Sequence, residues 1–332
     1  MEPLILFTIF VSFFCTYLIV PFWIRKAKQI GLVWEDMNKP KREKSVAGSG
    51  GITVVIGAII GILLYIAIQT FYFKSSDGVS IQIFAMISTL LLIAIVGLID
   101  DLFGWKKGGL SKRSRIILIL LSAIPLMVIN AGDSTMMGIN LGILYPLLII
   151  PIGVLGATTT FNFLAGFNGL ETTQGIIILL GMSILTYITG NPWLSVVALC
   201  LVASLIAFYI FNANPAKVFP GDILTYVIGA SIAAIAILGN VEKIAIFFFI
   251  PYLFETLLKL RGGLKKQSFG KPKEDGTIEM PYDKIYGLEH LSIYLLKKIK
   301  PSKKVYENDV VYLINFFQIF IIILGFILFI IL

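Results

Sequence analysis

Histidine occurs once in this chain, at His290, and cysteine twice, at Cys15 and Cys200. A zinc centre of the His/Cys type needs several such ligands at set spacings, and no cluster with that spacing exists. The two cysteines form no CxxC pair and carry no message about redox compartment. A nucleotide-binding P-loop is missing as well. The glycine-rich stretch "VAGSGG" at 46–51 has neither its lysine nor its spacing. Charge is scarce: 14% of the 332 residues are charged and 58% are hydrophobic, with a mean hydropathy of +0.93. A soluble globule of this length has too little interior for so much apolar surface, so lipid is the expected solvent. Period-two alternation is absent, which argues against a β-barrel.

What is present is a series of ten apolar runs, near 3–23, 50–71, 81–99, 115–131, 143–160, 172–189, 193–210, 222–239, 243–260 and 310–331. Each is about the 20 helical residues that cross a bilayer core. The expected fold is an all-α integral membrane protein, a single polytopic domain over 1–332 with ten transmembrane helices. Of the 27 Lys and Arg residues, 25 fall in alternate loops: 24–49, 100–115, 211–221 and 259–309, with none in 161–171. The even loops hold Lys74 and Lys243. The positive-inside rule then places the basic loops in the cytoplasm and both termini outside. The formal charge of +8 becomes a one-sided feature suited to anionic lipid head groups or an anionic substrate. The N-terminus lacks a basic n-region. Its cluster Arg25, Lys26 and Lys28 follows the apolar run, as in a retained helix. In the long loop 259–309, Asp275-Gly276 suggests a hairpin turn, and "LEHLSIYLLKKIKPSKK" suggests a basic helix at the membrane interface, with a solvated linker as the alternative.

The stretch "VGLIDDLFGW" places Asp100 and Asp101 where an apolar run ends. A helix C-terminus disfavours negative charge, and adjacent carboxylates repel. A cation should offset them: Lys106, Lys107 or a metal ion. "NANPAKVFPGDILTY" places Asp222 at the start of the eighth run, on the same side. An Asp there is also a common N-cap. "TTTFNFLAGFNGLETTQG" places Asn162 between two phenylalanines, where its carboxamide must find a partner. Oxygen donors of this kind suit Mg²⁺, which keeps waters and bridges carboxylates to substrate phosphates. Nearby Lys and Arg would meet phosphate oxygens. The glycines at 46–51 open the second run and suit either an anion or close helix packing. Glu255 and Lys259, spaced i,i+4, read first as a structural pair.

In these residues the chain resembles the polyprenyl-phosphate N-acetylhexosamine-1-phosphate transferases, in particular the eukaryotic and archaeal dolichyl-phosphate GlcNAc-1-phosphotransferases. The carriers are "DD" at 100–101, "NFLAGFNGLE" at 162–171 and "FNANPAKVFPGD" at 211–222. The resemblance spans nearly the whole chain and implies ten helices with a cytoplasmic active site. It implies transfer of a sugar-1-phosphate from a UDP-sugar, UDP-GlcNAc above all, to a polyprenyl phosphate such as dolichyl phosphate. UMP is released, in a first membrane step of N-glycan-type assembly. It matches Asp222 and Asn162 to Mg²⁺ ligands, with Mn²⁺ as the alternative ion. It matches Asn168 and Phe219 to residues that hold uracil, and Asp100, Asp101 and Arg115 to groups near the reacting phosphates. Glu171 and Lys44 join them as substrate-binding candidates.

The family's diphosphate-binding motif in the last cytoplasmic loop is absent here. Arg261, Lys265, Lys266 and His290 are the candidates to replace it. Gly104 stands where eukaryotic relatives often have Asn. The basic loop 24–49, with Lys39, Lys41, Arg42 and Lys44, suits recruitment of the lipid phosphate or the nucleotide, and equally a topology-setting role. Direct attack by the lipid phosphate and a two-step path through a carboxylate nucleophile both stay open. The expected partners are a UDP-sugar, a polyprenyl phosphate and membrane lipids, not nucleic acid, and an oligomer is compatible. The expected location is the plasma membrane of a prokaryote, an archaeon in particular, or the ER membrane. The rival class is a nucleotide-sugar transporter, which would place charges near the bilayer midplane rather than at one surface.

Overall fold

Backbone in lipid must bond to itself, which leaves long apolar runs little choice but helix. The structure, a computed structural model, describes residues 3–41, 44–74, 78–136 and 138–331, with the backbone alone for Lys44, Ser45 and Lys107. Its helices, in chain order, are α1 (Pro3–Gln29), α2 (Gly51–Tyr72), α3 (Val79–Lys107), α4 (Lys112–Ser122), α5 (Ile124–Val128), α6 (Tyr145–Phe161), α7 (Leu170–Ile188), α8 (Pro192–Asn212), α9 (Gly221–Leu238), α10 (Glu242–Phe248), α11 (Ile250–Arg261), α12 (Leu288–Ile299) and α13 (Glu307–Ile331). Three short antiparallel hairpins join them: β1 (Val33–Glu35) with β2 (Lys44–Ala47), β3 (Thr135–Met136) with β4 (Ile139–Asn140), and β5 (Lys271–Pro272) with β6 (Ile278–Glu279).

Among the described residues, seven helices are long and apolar enough to cross a membrane: α1, α2, α3, α7, α8, α9 and α13. The other three apolar runs take different forms. Residues 143–160 form the shorter α6. Residues 115–131 divide into α4 and α5 ahead of Pro125, and 243–260 into α10 and α11 ahead of Pro251. Proline lacks the N–H that would continue the preceding helix and its ring clashes with the turn before, so each run starts afresh there.

The core is organised around α9. In its most apolar stretch 89% of residues are buried, against 22% in α1 and 28% in α13. Its sequence "GASIAAIA" is small enough for neighbours to approach, and α3, α6 and α2 pack against it. On the flank, α1 meets α2 through small residues. A Cβ on Gly57 would lie 2.0 Å from Thr16 Oγ1, and one on Gly61 would lie 1.8 Å from Ser12 Oγ. Close backbone approach of this kind is how helices associate where lipid removes the hydrophobic drive. The outer face of α1 presents Phe7, Phe10, Phe14 and Leu18, side chains that suit acyl chains.

The loops gather at two ends. At one, the Tyr145 hydroxyl donates to Glu242, and the Asp133 N–H donates to Asn240 Oδ1 at 2.5 Å. At the other lie the loops that carry almost all the Lys and Arg, here called the basic face. There the β1–β2 hairpin, the 162–169 and 213–220 segments and the 262–306 region are hydrogen-bonded to one another.

Candidate active site

The site forms around the first turn of α9. The segment leading into it, 217–220, lies alongside 47–51. Ala47 N–H donates to Lys217 O, Phe219 N–H to Ala47 O, Gly50 N–H to Phe219 O and Gly51 N–H to Pro220 O. The N–H groups of Gly50 and Gly51 are therefore engaged by protein. Of the two readings of "VAGSGG", the structure shows close packing, since a Cβ on Gly50 would sit 2.3 Å from Val218.

A helix N-terminus leaves its first N–H groups without partners, and α9 takes them from another helix. Asp101 Oδ1 accepts from Asp222 N–H at 2.7 Å, and Asp101 Oδ2 from Ile223 N–H at 3.5 Å. The carboxylate meets the positive end of the helix dipole. The contact needs Gly221, whose φ is +73° and whose added Cβ would lie 2.2 Å from Asp101 Oδ2. Asp101 thus fixes the backbone that presents Asp222.

Asp100, only 2% exposed, has its own partners. Arg115 Nε lies 2.7 Å from Asp100 Oδ2, the Tyr226 hydroxyl donates to the same oxygen at 2.9 Å, and Leu110 N–H donates to Asp100 Oδ1 at 2.8 Å. The offsetting cation is therefore Arg115. Lys106 instead lies over the Trp105 ring, and the Lys107 side chain is outside the described residues. Tyr226 gave no motif signal, but it sits four residues after Asp222 on α9, so helical periodicity puts both on one face.

Asn162 follows the last residue of α6 and finds its partner on α9: the Thr225 hydroxyl donates to Asn162 Oδ1 at 2.9 Å. Asp100, Asp101, Asn162 and Asp222, from three distant stretches of sequence, meet at the α9 N-terminus. Beside Asn162 opens a cavity of about 230 Å³, bounded also by Phe163, Lys259, Lys266, Ser268 and Phe269. Lys259 is buried, pairs with Glu255 at 3.4 Å and donates to Ser268. Glu255 Oε2 accepts from Leu288 N–H at 2.6 Å, so the pair ties α11 to α12.

The candidates of the long loop separate. Lys266 borders the cavity and lies over Tyr282 at 4.8 Å. Arg261 and Lys265 are exposed and do not line it. His290 is not placed to contact phosphate. It is fully buried, and its Nδ1 accepts from Tyr286 N–H at 3.4 Å. Burial, aided by the charge of Lys259, pushes the imidazole down to about 4, so it is neutral at pH 7.

Asn168 is also engaged by protein. Its N–H donates to Glu307 Oε1 at 2.7 Å, and its Nδ2 donates to Asp36 Oδ2 at 2.9 Å. Glu171 is buried and accepts from Gly166 N–H at 2.8 Å, closing its own loop. Phe219 is half-buried, held by its backbone against Ala47. Of Lys44 the backbone alone is described, in β2, and Arg42 lies outside the described residues. Sequence reading missed Asp36, Asn38 and Glu307. Their signal was weak, because a polar loop residue carries no periodicity.

Residues 83–240 match glycosyl transferase family 4. A protein of Saccharolobus solfataricus, provisionally named UDP-N-acetylglucosamine–dolichyl-phosphate N-acetylglucosaminephosphotransferase, is 37% identical over 86% of this chain and 87% of its own length. A protein of Sulfolobus acidocaldarius with the same provisional name is 31% identical over 82% and 83%. The phospho-N-acetylmuramoyl-pentapeptide-transferase of Streptococcus agalactiae is 26% identical over 74% and 76%. The chain belongs to the polyprenyl-phosphate N-acetylhexosamine-1-phosphate transferases of glycosyl transferase family 4. The transporter alternative finds no support among these relatives.

Proposed function

We propose that the protein transfers N-acetylglucosamine-1-phosphate from UDP-GlcNAc to a polyprenyl phosphate of the dolichyl type, releasing UMP, at the cytoplasmic face of a ten-span membrane domain with both termini outside. The carrying observation is the convergence of Asp100, Asp101, Asn162 and Asp222 beside a lysine-bordered cavity on the basic face. The names of the archaeal relatives support the donor and acceptor. In this reading the protein sits in an archaeal plasma membrane and acts early in glycan assembly; the apolar helices and the archaeal sources of the relatives are what favour a membrane of that kind.

A divalent ion suits this donor set. Of the three carboxylates, Asp100 contacts Arg115, and the negative charge of Asp101 and Asp222 beside it matches Mg²⁺ or Mn²⁺. Among the described residues no three His, Cys, Asp or Glu side chains are arranged to chelate a metal. That leaves the type of site in which one or two protein oxygens are completed by water and phosphate. Asp222 and Asn162 would hold the ion, which would neutralise charge on the donor diphosphate.

The chain's own groups do the rest. Lys266, which borders the cavity and has no carboxylate in contact among the described residues, draws the diphosphate in beside Asn162. Arg115, in the first turn of α4 and steadied by Asp100, is the group that meets phosphate there. Phosphoryl transfer between anions needs alignment and neutralisation more than covalent help. The lipid phosphate, with a second pKa of about 6, is mostly dianionic at pH 7 and attacks without a strong base. Asp100 and Asp101 already accept hydrogen bonds from protein, which favours positioning over proton transfer and direct attack over a phospho-enzyme.

Membrane vesicles supplied with sugar-labelled UDP-GlcNAc and polyprenyl phosphate test the reaction. Label in the lipid phase together with UMP supports it; label accumulating in the vesicle lumen contradicts it. Asp222→Ala should abolish transfer in a protein that still folds, and full activity in that variant would remove its metal role.

A further inference from the structure

The first loop of the basic face carries Asp36, Asn38 and Lys39, and together they bond to four distant segments, 162–169, 214, 270 and 307. Asn38 Nδ2 donates to Gly166 O at 2.8 Å, while Asn38 Oδ1 accepts from Gly270 N–H at 3.1 Å. One side chain thus joins the 162–169 loop to the start of the 271–279 hairpin. Lys39 Nζ donates to Asn214 Oδ1 at 2.7 Å and pairs with Glu307 at the head of α13. The other oxygen of Glu307 accepts from Asn168 N–H at 2.7 Å, and Asp36 accepts from Asn168 Nδ2 at 2.9 Å. Asp36, Asn38, Asn168 and Glu307 are each at most 8% exposed.

Lys39 therefore spends its charge inside the protein. As a phosphate ligand it would have to leave Glu307, which lies buried with no other cation in contact among the described residues. Leaving a buried carboxylate unpaired is costly. The segments this loop connects are those that border the cavity: 162–169 carries Asn162 and Phe163, and 264–270 carries Lys266 and Ser268.

We infer that Asp36, Asn38, Lys39 and Glu307 form a clamp that locks three loops into one platform. They are positioning residues that set the affinity for the nucleotide-sugar without touching it. This rests on the UDP-GlcNAc reading above. The clamp acts on binding because it fixes where the cavity walls stand, while the α9 turn that carries Asp222 has its own anchor in Asp101.

The test uses the full-length protein in detergent with UDP-GlcNAc and polyprenyl phosphate. Lys39→Glu and Glu307→Lys should each raise KM for UDP-GlcNAc at least tenfold, with kcat and the KM for lipid changed less than threefold. The reciprocal double variant should return KM to within threefold of wild type. A double variant no better than the worse single one, or a rise confined to the lipid KM, overturns the clamp. Amide hydrogen exchange reads the clamp without activity. Asn38→Ala should speed exchange at least tenfold in peptides covering 162–169 and 264–270 and leave 221–238 unchanged. Unchanged exchange in the first two overturns it. Wild-type protein that transfers nothing overturns the proposed reaction instead, and the exchange result still decides the clamp.

Discussion

At the scale of single residues, the adjacent aspartates do different work. Asp101 caps α9 from a neighbouring helix, while Asp100 holds Arg115 and Tyr226. A cap needs an acceptor oxygen more than a proton acceptor. Asp101→Asn keeps one oxygen for Asp222 N–H and loses the charge–dipole attraction, about 0.3–2 kcal/mol, which corresponds to at most a few tens-fold in rate. Asp101→Ala loses the cap altogether, and Gly221→Ala drives a methyl into the carboxylate. The expected order of kcat is wild type, then Asp101→Asn, then Asp101→Ala and Gly221→Ala with almost none. An inactive Asp101→Asn that folds normally would make the carboxylate a proton acceptor. The acids themselves were legible because carboxylates at the ends of apolar runs demand partners. Which partner each takes was not, because Asp222 N–H and Tyr226 come from a segment more than 100 residues away and only the fold brings them near.

Among the elements, the apolar runs were easy to read and their interruptions were harder. Hydropathy marked 115–131 and 243–260 as single runs, but Pro125 and Pro251 divide each into two helices. The α1–α2 contact rests on Gly57 and Gly61 against Ser12 and Thr16. Gly61→Leu should therefore destabilise the protein by about 1–3 kcal/mol through overpacking. The check is a lowered midpoint of thermal inactivation in detergent; an unchanged midpoint would show that the two helices part without cost. The α11–α12 junction buries His290 neutral. Its folded value is about 4 against an ordinary 6.5. Between those values the unfolded chain binds a proton that the folded chain does not, so stability falls as pH drops from about 6.5 towards 4. His290→Gln should flatten that part of the stability curve, as read by thermal unfolding at pH 7 and pH 4.5. An identical slope in the variant would place the acid sensitivity elsewhere.

Across the whole molecule, charge asymmetry and one central helix define the arrangement. Nearly all Lys and Arg lie at the end where α9 begins, and that end also gathers the acids, the cavity and the loop platform. Motif reading gave the family. It did not reveal that Asn168 and Glu171 are bound up in holding loops, since such roles depend on contacts with Glu307, Asp36 and Gly166 that no local pattern encodes. The reading of this end as a phosphotransfer site makes a claim about one atom. UDP-GlcNAc labelled with radioactive phosphorus at the β position, incubated with the purified protein and polyprenyl phosphate, follows that atom directly. The label should pass into the lipid fraction in step with unlabelled UMP. Label that stays in water as UDP, while the sugar alone moves to lipid or to water, would contradict the account.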